Sequence, residues 1–384
     1  MNPRERLLAC LRGETMDRIP IYTLIPFSLT EEGFVPGAIH GYADEDDWRR
    51  RDPAYVRLVQ RLEAECDNFT FWRPPCMDSD QLFVPPAATK ALPQYEKEGR
   101  RYMPFQAQIA GRTLTMERAV QPGTGYSWQI EHWCKTPEDA RALLEADWEG
   151  LVPDLDVLPE IERLLGDRGL IWVTIPSPIL PVCRLFDPTD FLIFARTEKK
   201  LIHALMERVA ERIQANLVAL LDMGAGPIIR FGGAEHATPP LMSPKDFDEL
   251  VVAYDEPLVR LSKEHGRMVA YHCHGHLRHA LKRFVEMGVD QIDPVEVIPD
   301  GDVTISEAKE LAQDQITLTG NIQSREINMG EPDEIEARIR ELIEVAGPRR
   351  LVISTTGTPL ETMSPRVEAN YHRLIDATLK WGKI

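Results

Sequence analysis

The sequence predicts an α/β protein whose parallel sheet closes into a (β/α)8 TIM barrel, and three observations carry that expectation. Eight short apolar runs read as strands, and after Pro137 they alternate with helix-length amphipathic segments, the rhythm of a parallel sheet. The length of 384 residues suits one barrel with insertions, so residues 1–384 are read as a single domain. Polar or glycine-rich segments follow five successive runs, where a barrel carries its chemistry. Periodicity alone does not require closure, and an open doubly wound sheet is the alternative.

The elements follow in chain order. Asn2 as cap and Pro3 in the first turn open a helix that Gly13 stops. Residues 19–23 read as the first strand, 53–65 as a helix and 68–72 as the second strand. Between about 81 and 132 the pattern changes to an antiparallel β excursion in the N-terminal third. Residues 101–110, 113–119 and 126–132 alternate there, and glycines stand in the turns. Six further strands are expected at 170–175, 226–231, 267–271, 289–292, 316–318 and 351–353, with helices at 199–223, 244–265, 277–287, 306–313, 333–345 and 365–380.

A formal net charge of −17 argues against a general nucleic-acid or anionic-membrane surface, because both partners select clustered Lys and Arg. No stretch has the apolar length of a membrane helix, and the opening Met1-Asn-Pro-Arg-Glu-Arg6 lacks the apolar centre of a signal peptide. A cytoplasmic protein is expected. Six scattered cysteines without a Cys-x-x-Cys pair read as reduced and mostly buried.

Chemistry concentrates at Met268-Val-Ala-Tyr-His-Cys-His-Gly-His276, where an apolar run ends in metal-binding side chains. Alternate strand residues share a face, so His272 and His274 converge while Cys273 points away into the core. Twenty-two residues later, after another apolar run, stands Glu296. Two His and one carboxylate with an open fourth position form a catalytic zinc set. Glu235 and His236 after Gly232-Gly233 compete as ligands or as acid/base groups. Asn321 and Gln323 are candidate substrate hydrogen-bonders, and Asp293 a carboxylate able to orient a ligand imidazole. His276 and His279 read as surface or capping groups, Asp78 and Asp80 as a solvated loop. Phe71, Trp72, Tyr126 and Trp128 are candidates for an aromatic wall. Dinucleotide, P-loop and serine-hydrolase motifs are absent.

The opening Asn2-Pro-Arg-Glu-Arg-Leu-Leu-Ala-Cys-Leu-Arg-Gly-Glu14 with Asp17-Arg-Ile-Pro20 resembles the start of the uroporphyrinogen decarboxylase superfamily. Met242-Ser-Pro-Lys-Asp-Phe247, His272 to Gly275, Met287-Gly-Val-Asp290, Gly320-Asn321 and Gly357-Thr-Pro-Leu-Glu-Thr-Met-Ser-Pro365 keep that superfamily's order and spacing. The resemblance implies a (β/α)8 barrel, often dimeric. The decarboxylases' carboxylate-binding arginine segment is missing after Pro20, where Ile-Tyr-Thr-Leu-Ile-Pro-Phe stands instead. The chain is more similar to the corrinoid-dependent methyltransferases of the methylcobamide:coenzyme M type. Their zinc ligands are a His-x-Cys pair and a later Cys; His272 matches the His, His274 replaces the first Cys and Thr356 the second. In cobalamin-independent methionine synthase, a more distant relative, a zinc-ligand Glu falls at the interval of Glu296.

Imidazole and carboxylate in place of thiolates make a harder, more Lewis-acidic site, suited to an oxygen-bound methyl group. The implied function is a zinc-dependent methyltransferase moving methyl between a small, methoxylated compound and corrinoid on a separate partner protein, since no corrinoid-binding Asp-x-His-x-x-Gly motif is present. The alternatives are a metal-free decarboxylase of a smaller substrate, with His272 and Glu235 as acid/base groups, and a non-catalytic tetrapyrrole or corrinoid binder.

Overall fold

A computed structural model describes residues 1–25, 47–124, 127–148 and 152–384. After the capped helix Pro3–Arg12 and the helix Pro53–Glu65 comes β1 (Asn68–Trp72). The antiparallel excursion follows as a separate five-stranded sheet: β2 (Thr89–Ala91), β3 (Tyr95–Lys97), β4 (Arg100–Ile109), β5 (Arg112–Val120) and β6 (Ser127–Glu131). Tyr126, expected to open β6, lies outside the described residues.

The remaining strands are β7 (Gly169–Pro176), β8 (Ile228–Gly232), β9 (Met268–His272), β10 (Gln291–Asp293), β11 (Thr317–Ile322) and β12 (Leu351–Thr355). With β1 they make one curled parallel sheet in the order β1-β7-β8-β9-β10-β11-β12. The expected strand at 19–23 reduces to a single parallel bridge between Ile21 and Ile353. Pro20 has no N–H to offer a ladder, and the Ile21 N–H donates to Asp67 Oδ2 at 2.9 Å instead of to a neighbouring strand. The segment still touches both sheet edges: Tyr22 N–H donates to the Ile353 carbonyl at 2.9 Å, and Asp67 N–H to the Ile21 carbonyl at 2.9 Å.

Strand alternation divides the core in two. One buried cluster joins Phe69, Phe71, Leu170, Trp172, Ile228, Ala270 and Val352 to Leu7 and Leu11 of the first helix. These strand residues share the concave face, and the helix packs beneath them. The larger cluster, which includes Ile171, Val173, Ile229, Phe231, Val269 and Tyr271, packs the opposite face against the helices. The expected single helix at 244–265 is broken into Pro244–Phe247, a π turn at Asp248–Val252, and Ala253–Glu264. Pro257 in the last piece removes the N–H that would bond four residues back. Among the described residues, no helix is long and apolar enough to cross a membrane.

Candidate active site

Register places the site. Gly232 of β8, His272 of β9 and Asp293 of β10 stand at one level on adjacent strands, so the imidazole and carboxylate become neighbours. His272 Nδ1 lies 2.9 Å from Asp293 Oδ2. Arg230, two residues earlier on β8, donates to both oxygens of Asp293 at 3.2 and 2.9 Å. Its guanidinium also lies over the rings of Phe71 and Trp172, at 4.7 and 4.9 Å. Burial opposes the Asp293 charge, but Arg230 and then His272 outweigh it and hold the carboxyl well below the usual range. Burial, reinforced by Arg230, lowers the His272 pKa below its ordinary value. The neutral ring is thus favoured; with Nδ1–H donating to Asp293, Nε2 is left unprotonated, its lone pair available to accept a proton or bind a metal.

His274 stands beside His272 with ring centroids 4.6 Å apart and planes nearly perpendicular, at 86°. Its Nδ1 is 3.2 Å from Glu296 Oε1. Burial works against its charge, yet the Glu296 carboxylate prevails and raises the pKa. Glu296 Oε2 accepts the Gly275 N–H at 2.6 Å. Cys273, between the two histidines, is fully buried, and all six cysteines are free and buried.

Both imidazoles line a cavity of about 320 Å³ at the C-terminal ends of the strands. Phe71, Arg73, Thr174, Arg230, Glu235 and Thr356 contribute to its wall. Glu235 is steadied there by the Gly233 N–H at 3.1 Å. Gly233 has φ +107, and a Cβ on it would stand 2.4 Å from Leu180 Cβ, so only glycine fits this turn. The other predicted residues among those described, Glu296 included, do not line this cavity. His236 faces a second cavity of about 430 Å³ across Leu180, together with Trp128 and Arg184. The Asn321 carbonyl oxygen accepts from Arg338 at 3.1 Å, and Gln323 accepts the Thr356 hydroxyl at 3.0 Å. Trp72 is core, Asp80 pairs with Arg118, and His279 pairs with Asp248.

The donor set has the chemistry of a zinc site. Two donors bound to one tetrahedral zinc at about 2.0–2.1 Å stand roughly 3.3 Å apart, close to the 3.2 Å between His274 and Glu296. His272, backed by a carboxylate on Nδ1, has the arrangement of a metal-binding imidazole. Among the described residues, no group of three or more His, Cys, Asp or Glu is already gathered about one point. Binding of all three therefore requires a rearrangement of side chains within the set. The residues fit the ion in donor chemistry, and the His274–Glu296 pair fits it in spacing.

Sequence reasoning missed Arg230 and Arg73. Arg230 interrupts the apolar run Ile228-Ile-Arg-Phe, a charge on the inward face of a strand that signals a buried partner. Arg73 directly follows β1, the strand-end position that singled out the histidines.

Comparison with known proteins gives the context. No curated protein matches the sequence. The fold is similar to that of a methyltransferase from Methanosarcina mazei, with a TM-score of 0.61, 19% identity and 99% of each chain covered. A weaker likeness, with a TM-score of 0.40, 14% identity and 78% of each chain covered, links it to a B12-independent methionine synthase from Shewanella sp. W3-18-1. The profile of the Uroporphyrinogen decarboxylase (URO-D) family matches residues 105–377. With well over half of its length matched, the chain belongs to the uroporphyrinogen decarboxylase family.

Proposed function

We propose that the protein is a zinc-dependent methyltransferase that moves a methyl group between a small methoxylated compound and the corrinoid of a separate protein. The observation that carries this reading is the His272–His274 pair on one cavity wall, each imidazole set against its own carboxylate. Residues 1–384 are read as one (β/α)8 barrel domain, completed by the extended segment at Ile21 between the sheet edges. That reading puts the cavity at the catalytic end of the barrel.

His272, His274 and Glu296 would hold the zinc, which when bound supplies Lewis acidity toward an ether oxygen. The chain's own groups do the rest. Asp293 fixes the His272 tautomer and orientation. Phe71 offers an apolar face to the substrate. Glu235, on the same wall, exchanges the proton of the oxygen that loses methyl in one direction and gains it in the other. As the C–O bond breaks, the oxygen keeps the bonding pair and takes its proton from Glu235, and the reduced corrinoid would supply the electron pair for the new bond to methyl.

The test is incubation of zinc-loaded protein with methoxylated aromatic compounds and a reduced corrinoid protein, followed by chromatography of the demethylated product. Product that depends on protein, corrinoid and His272 supports the reading. Release of carbon dioxide from a carboxylated substrate without metal would replace it with the decarboxylase.

A further inference from the structure

Arg73 is the cavity group that this mechanism does not use. It continues the inward-facing series Phe69, Phe71 at the end of β1 and lines the same cavity as His272 and His274. Of the other arginines nearby, Arg230 is bound to Asp293 and Arg118 to Asp80. Among the described residues, Arg73 has no hydrogen bond or ion pair.

Its surroundings make this conspicuous. The side chain is exposed to solvent, yet burial lowers its pKa. The two agree if the head group stands in a concave wall, open to the lumen and flanked by protein. Asp78 eases the charge at a distance, but its Oδ1 already accepts the N–H groups of Asp80 and Gln81. Arg184, Arg230 and Arg118 all act against it. Among the described residues the wall thus holds, beside the Glu235 carboxylate, a guanidinium that no carboxylate contacts, in a chain whose net charge is −17. A cation left without a partner in a partly desolvated wall is costly unless a ligand completes it. A guanidinium presents a planar fork that matches an oxyanion.

We propose, resting on the reading of this cavity as the substrate site, that the substrate carries an oxyanion and that Arg73 binds it. The cavity of about 320 Å³ is at the small end of ligand pockets, which span about 300–1,000 Å³, and suits a single-ring compound. The anionic end sits on Arg73, the ring against Phe71, and the reacting end toward the imidazoles.

Binding to the full-length protein tests this without turnover. Benzoate, inorganic phosphate and neutral benzyl alcohol are titrated by calorimetry into wild type, Arg73→Gln and Arg73→Lys, with thermal melts to establish that each variant folds. We expect an anion to bind wild type and to weaken at least tenfold in Arg73→Gln, the worth of a charge-assisted hydrogen bond. Arg73→Lys retains part of the affinity, and benzyl alcohol is indifferent to both changes. Benzoate as the preferred anion identifies a carboxylate substrate; phosphate identifies a phosphate ester. Equal anion affinity in wild type and Arg73→Gln, or no anion binding by folded wild type, overturns the proposal. Benzoate has no methyl to give, so Arg73-dependent binding in a protein that transfers no methyl leaves this site standing while the methyltransferase reading falls. Methyl transfer from neutral ethers without anion binding does the reverse.

Discussion

Replacing Asp293 by Asn removes the one carboxylate that holds both Arg230 and His272. The Arg230 and Asp293 side chains are 6% and 1% exposed, so solvent screens the pair very little. Truncating one partner of a buried ion pair costs about 3–5 kcal/mol, because the remaining charge stays desolvated. Asn keeps one acceptor for His272, and the aromatic faces of Phe71 and Trp172 still contact the guanidinium, which keeps the loss within that range. For a chain of 384 residues the loss is a fall in melting temperature of roughly 4–6 °C. Urea titration and thermal melts of Asp293→Asn, Arg230→Met and the double variant at neutral pH measure it. The double variant leaves neither charge buried, so it should be far more stable than the sum of the single losses predicts, with a coupling of about 3 kcal/mol or more. A loss below about 1 kcal/mol in Asp293→Asn, or additive losses in the double variant, would refute the reasoning.

Three other outcomes are expected. Asp255 is buried, accepts from Ser177 and Tyr271, and is pushed by burial from 3.8 to about 7. The native carboxyl therefore keeps its proton where the unfolded chain has lost it. Its contribution to stability falls by roughly 4 kcal/mol as pH rises from about 4 to about 7 and is flat above. Urea midpoints of wild type minus Asp255→Asn across that window should show this slope; no difference in slope would contradict it. Gly233→Ala should cost about 1–3 kcal/mol from the backbone alone, with the Leu180 clash added, and lower turnover by shifting Glu235. An unchanged melt would show that the turn relaxes freely. Glu296→Gln should weaken zinc binding by tenfold or more in a chelator competition, and unaltered affinity would remove it from the ligand set.

Much of the candidate site's geometry was legible because its signals are local. An apolar run ending in His-Cys-His fixes both a strand and its alternation, and the structure puts the two imidazoles on one cavity wall with Cys273 buried between. The antiparallel excursion was equally visible in its alternating residues and glycine turns. What escaped depends on partners far along the chain. Arg230 gains its meaning from Asp293, 63 residues later, and the segment at 19–23 loses its ladder to the Asp67 carboxylate. The helices Ile179–Arg184 and Pro188–Thr197 were not anticipated. They are short, begin at or beside prolines, and are nearly as apolar as a strand, so periodicity alone does not separate them. Asn321 and His236 stood at strand ends by sequence, but their side chains turn to Arg338 and to the second cavity.

Zinc content tests the central claim most directly. Protein purified without an affinity metal is analysed by mass spectrometry as wild type, His272→Ala and His274→Ala, each with a melt to verify folding. The account predicts one zinc per wild-type chain, retained against a weak chelator and lost in both folded variants. Wild type that carries no zinc and takes up none when it is added, or variants that keep it, would contradict the His272–His274 centre.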